Sequence, residues 1–139
     1  MSALRSVVAV VAGYFIFAVS AVVLFRVAAR DPHTPQDPGF VLFAVAYGMV
    51  FALLGGVAAA AIAGRRPIVH ACILAGIISL GAFISLSASP GEGAIWSQLA
   101  AIGVMAPCAV VGGLLRGRLL RKRKAAASEG QPRTGELGG

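Results

Sequence analysis

The sequence predicts an all-α fold: an integral membrane four-helix bundle of two antiparallel helical hairpins, with both termini on the inner side. Three observations predict it. Of 139 residues, 58% are hydrophobic and 12% charged, against about 25% charged in a soluble domain, and the mean hydropathy is +0.88. Four long stretches, 6–25, 38–64, 67–91 and 93–115, contain no Asp, Glu, Lys or Arg. Most of the positive charge lies between and after them. A chain this short buries only part of its surface when folded in water, so lipid is the solvent that fits.

Each stretch reaches the roughly 20 apolar residues needed to cross a hydrocarbon core about 30 Å thick. Backbone in lipid must satisfy its own hydrogen bonds, so each span is expected to be a helix. The runs lack the alternation of barrel strands. Helices are expected near 4–29, 39–64, 67–88 and 93–117, within a transmembrane domain of 1–124, with 125–139 a polar, disordered cytoplasmic tail. The first span has a basic start at Arg5, and Ala18-Val19-Ser20-Ala21 resembles a cleavage site. Its apolar run continues through Phe25, beyond the 7–15 residues of a signal-peptide core, so a retained helix is expected.

The breaks carry turn chemistry. Pro32, Pro35 and Pro38 exclude a continuous helix between the first two spans. Gly64-Arg65-Arg66-Pro67 pairs a helix terminator with a first-turn proline and reads as a tight helical hairpin. Pro90, Gly91 and Gly93 mark the third break.

With the N-terminus inside, ten basic residues are cytoplasmic: Arg5, Arg65, Arg66, Arg116, Arg118, Arg121, Lys122, Arg123, Lys124 and Arg133. Arg26 and Arg30 fall outside. This bias predicts a multi-pass cell-membrane protein with both termini cytoplasmic. Trp96 then sits near the outer interface, and Arg26 can snorkel to it.

In helix 2, Ala44, Gly48, Ala52, Gly56, Ala60 and Gly64 recur at intervals of four. Such a stripe lets helix backbones approach closely, which favours association in lipid. Helix 4 has a weaker version in Met105, Ala109, Gly113 and Gly117. It also carries Pro107, whose ring strains the turn holding Gly103 and predicts a kink. A double glycine ends each of the segments 51–56 and 109–113, a short internal likeness that Gly-rich helices produce freely.

No span carries an ionisable acid or base near its middle, which argues against a proton relay or ion path. Small multidrug-resistance exporters have a similar size and helix count but need a carboxylate in the first helix. Here that helix offers Tyr14 and Ser20, so the resemblance stops at size. The polar pore signature of small fluoride channels and the CxxC of membrane thiol oxidoreductases are both missing.

No catalytic residue, cofactor or metal is expected. Asp31, His33 and Asp37, with Glu92 on the other outer loop, contain an Asp-x-His pair of the metal-binding kind, but a proline-rich turn with Asx caps is the simpler reading. Cys72 and Cys108 are expected at similar depths as small apolar packers, and His70 as an interfacial residue. The segment Arg116–Lys124 has six basic residues in nine. It fixes topology and, with Arg65 and Arg66, suits anionic lipid head groups. Nucleic-acid binding is not expected, because aromatic residues are not interleaved.

The functional expectation is a non-enzymatic helix-packing module, either an accessory subunit or a self-associating membrane protein, using the helix 2 stripe. The second reading is a protomer of an oligomeric transporter or channel for a neutral solute, lined by Tyr14, Ser20, Tyr47, Ser79, Ser85 and Gln98. An intramembrane enzyme would need Asp31, His33, Asp37 and Glu92, and ranks last. The sequence leaves open whether the stripe packs within the chain or between copies.

Overall fold

Helical structure accounts for nearly all of what the computed structural model describes, namely residues 3–31, 34–64, 66–88 and 95–129. The elements are α1 (Ala3–Val27), α2 (Pro38–Ala63), α3 (Pro67–Ala88), α4 (Trp96–Ala100), a π-helical turn (Ala101–Met105) and α5 (Ala106–Glu129). α4, the π turn and α5 form one rod, so among the described residues four helices are long and apolar enough to cross a membrane.

α1 ends in a Schellman motif. The Arg30 N–H donates to the Phe25 carbonyl at 3.1 Å and the Ala29 N–H to that of Arg26 at 3.2 Å, while Ala29 takes φ 51°. That left-handed position usually belongs to glycine. α2 starts on Asp37, whose carboxylate accepts the Phe40 N–H at 2.9 Å, with Pro38 in the first turn. Gly64, with φ +70°, closes α2. At that end, Arg5 Nε donates to the Ile62 carbonyl at 2.7 Å, placing a cation at a negative helix terminus.

The size distribution is inverted relative to a water-soluble core. Leu74 is the largest fully buried side chain, and the buried set is otherwise dominated by alanine and glycine. Leu42 is 73% exposed and Phe15 65%. Lipid tails are as apolar as leucine, so large side chains gain nothing by turning inward, whereas small ones let helices meet. α2 is central. It packs against α1, α3 and α5, whereas α1 and α5 do not meet at backbone level and flank the α2–α3 pair.

One boundary and one internal turn differ from the sequence expectation. α5 continues to Glu129 rather than ending near 117, because Arg, Lys and Ala all favour helix and the helix can leave the lipid without losing its hydrogen bonds. The expected disordered tail of 125–139 is therefore helical over 125–129, and its remainder lies outside the described residues. The strain expected at Pro107 is accommodated as a π turn, in which the Ala106 N–H reaches the Ala101 carbonyl. The wider turn sits directly before a residue that cannot donate and whose ring crowds the preceding turn.

Ala29→Gly is expected to raise stability by about 1 kcal/mol, the cost of a Cβ in left-handed backbone. Thermal unfolding in detergent, with the wild type alongside, measures it.

Candidate functional site

Five of the six stripe residues, Ala44, Gly48, Ala52, Gly56 and Ala60, are buried within the chain, and Gly64 is the exposed terminator. The stripe faces the α4–α5 rod. Met105 lies over Gly48, and a methyl group on Gly56 would overlap the Ala109 carbonyl. From the other side, a methyl group on Gly112 would overlap the Leu53 carbonyl. This is backbone-to-backbone packing.

α2 has a second small face that the four-residue spacing did not reveal. Gly55, Ala59 and Ala63 are buried alongside the stripe. A methyl group on Gly55 would stand 2.6 Å from the Gly13 carbonyl oxygen, and one on Gly13 would stand 2.7 Å from that of Gly55. The signal was available as the Gly55-Gly56 and Ala59-Ala60 pairs, which place small residues on two adjoining faces. Gly113, in the helix 4 series, packs against Ala71 of α3. Gly76, Gly81 and Gly103 have nothing near where a Cβ would stand, so they face outward.

The candidate lining groups separate. Tyr14, Ser85 and Gln98 share a groove of about 190 Å³ between α1, α3 and α4, with Ser97 beside them. Gln98 is 8% exposed, accepts from the Ser97 hydroxyl at 2.9 Å and donates to Ser85 Oγ at 3.4 Å. Ser20 and Tyr47 instead border a separate cavity of about 120 Å³ beside Trp96. The Ser20 hydroxyl is already committed to the Phe17 carbonyl at 2.7 Å. Ser79 lines neither. The π turn begins at Ala101, on the border of both spaces.

At one end of the fold, Arg66, Arg118, Arg121 and Lys124 line a cleft of about 740 Å³ between the start of α3 and α5. Lys122 and Arg123 are exposed and do not line it, and Arg116 is half-buried. Arg65 lies outside the described residues. His70 is buried, with Nδ1 3.2 Å from the Arg66 carbonyl.

At the other end, Arg30 organises the loop. It pairs with Asp37 at 2.7 Å, donates to Gln36 at 3.0 Å and stacks 4.9 Å from the Phe40 ring centre. The Phe40 N–H and then Arg30 hold the Asp37 carboxyl below its usual value. The exposed ion pair adds little to stability. Phe25 lies 6.0 Å from Phe40 and 6.5 Å from Trp96, ring centre to ring centre.

His33 and Glu92, expected beside Asp31 and Asp37, lie outside the described residues. Among the described residues, no three of His, Cys, Asp and Glu gather as a metal site. Cys72 is exposed on α3 rather than packed inside, and Cys108 is partly buried; both are free thiols.

Gly56→Ile is expected to cost at least 1–3 kcal/mol, since the carbonyl it meets is backbone and cannot swing aside. Gly76→Ala should change stability by less than about 1 kcal/mol. Paired unfolding curves in detergent distinguish the inner from the outer glycine. Comparison with protein-family models, with characterised proteins and with solved structures finds no match.

Proposed function

We propose that the chain is a small multi-pass integral membrane protein whose role is non-enzymatic helix packing, as an accessory subunit or a self-associating protein. Its helices form two antiparallel hairpins with both termini in the cytoplasm. The observation that carries this reading is the apolar, unoccupied outward face of α3 around Gly76, since α2 already closes onto α1 and α5 through glycine and alanine within the chain.

The seam is filled by the chain itself, so a partner helix would use a different face. The outward side of α3 presents Cys72, Gly76, Leu80 and Phe83, with no Cβ at Gly76 to hold a neighbour away. The proposed orientation is supported by the clustering of charge. Arg5 contacts the end of α2, and Arg66, Arg118, Arg121 and Lys124 border one cleft. The proposed surroundings are the lipid bilayer and the anionic head groups of its cytoplasmic leaflet.

Cys72 provides the test. Oxidative cross-linking in the native membrane is expected to give one product of defined mass, lost in Cys72→Ser and reduced by Gly76→Leu. Native mass spectrometry then identifies the partner as a second copy or another protein. The absence of any cross-linked or co-purifying species would end the packing-module reading.

A second reading, an oligomeric transporter or channel protomer for a neutral solute, is favoured by the Tyr14, Ser85 and Gln98 groove. Among the described residues it offers amide and hydroxyl groups and no charge. On this reading, Gln98→Leu abolishes solute flux in proteoliposomes. Flux equal to protein-free vesicles for neutral solutes would remove it.

A further inference from the structure

The basic cleft has a construction that a topology signal does not need. On α5, Leu114, Gly117, Arg118, Arg121 and Lys124 follow at spacings of three and four, so they share one face. The opposing wall is the first turn of α3 with Arg66 ahead of it. The walls meet where Gly117 lies against Pro67. A methyl group on Gly117 would stand 3.4 Å from the proline Cγ. Beyond that contact, among the described residues, four cations and no acidic side chain line the cleft. Arg66 stands there with φ 50°, which a non-glycine residue rarely adopts. The peptide N–H groups at the start of α3 add positive potential. The remaining wall is apolar and runs onto the outward face of the spans through Leu114 and Ile68.

Cations above an apolar wall at the end of a membrane-spanning helix match one chemistry: a phosphate that carries acyl chains. We propose that this cleft binds a single anionic phospholipid, with Arg66, Arg118, Arg121 and Lys124 around its phosphate and its chains along Leu114 and Ile68. This rests on the membrane-spanning reading and adds to it a defined lipid seat in place of a diffuse basic field. A free phosphate could satisfy the cations but would leave the apolar wall unused. Basic pockets between membrane helices on the cytoplasmic side have the chemistry for phosphorylated head groups.

The test uses the full chain in mild detergent with equal amounts of phosphatidylglycerol and phosphatidylcholine, and native mass spectrometry to count retained lipids. The wild type is expected to keep one phosphatidylglycerol. Arg118→Gln with Arg121→Gln should weaken that retention about thirtyfold, from about fivefold per basic side chain. Lys122→Gln with Arg123→Gln removes the same charge outside the cleft and should leave retention unchanged. Arg66→Gln, which lies outside the helices, should weaken retention about fivefold and is an independent variant if the double change perturbs α5. Equal loss in both double variants means a diffuse field and overturns the proposal. Displacement of the lipid by inorganic phosphate at equal concentration assigns the cleft to a soluble anion and overturns it too. Flotation with pure phosphatidylcholine vesicles after an alkaline wash tests membrane spanning separately. A chain that floats but retains no phosphatidylglycerol refutes the cleft alone.

Discussion

The close approach of α2 to its neighbours is the constraint on which the rest depends. In water, burying a leucine gains free energy because it leaves the solvent. In lipid that gain vanishes, and helices hold together through dispersion contacts and packing. Dispersion falls steeply with distance, so the favourable arrangement brings backbone to backbone. Gly13 against Gly55, Gly56 against Ala109 and Gly112 against Leu53 achieve this on two sides of one helix. Most large side chains are left outside, and Leu74, Ile78 and Met105 fill the space that remains within.

That physics decides what could be read from the chain. The four spans were legible because charge is costly in hydrocarbon, so the charge map alone marks where lipid begins and ends. The ends of α2 and the start of α3 were legible from Pro38, Gly64 and Pro67, residues with specific backbone roles. The helix 2 stripe was legible as a small face. Its partner was not, because an apolar helix in lipid shows no polar side to orient it. In a soluble helix the stripe direction would follow from amphipathicity. Here size is the remaining cue, and the Gly55-Gly56 pair serves two faces at once.

The other differences have the same origin. Cys72 and Cys108 look alike as short apolar residues, yet one is exposed and the other partly buried, because nothing in their chemistry chooses a side. Of the candidate lining groups, Tyr14, Ser85 and Gln98 converge while Ser20 turns to its own backbone, an option open to any serine in a helix. The extent of α5 is hidden in the sequence because a basic segment marks the end of an apolar span, whereas helix propensity does not stop at the membrane surface.

The π turn between α4 and α5 separates the directions in which the two parts of the last rod face. A π turn accommodates one residue more than an α-helix needs, and each residue advances the face by about 100°. The part after the turn is tied to α2 through Ala109 and Gly112, and the part before it is tied to α1 and α3 through Trp96 and Gln98. Losing that single residue would wind the turn back to α geometry and swing Trp96 and Gln98 away from Phe25 and Ser85, while Ala109 and Gly112 keep their places against α2. One residue of chain length, rather than any side chain, thus acts as the angular offset between the anchored part of the rod and the part that borders the polar groove.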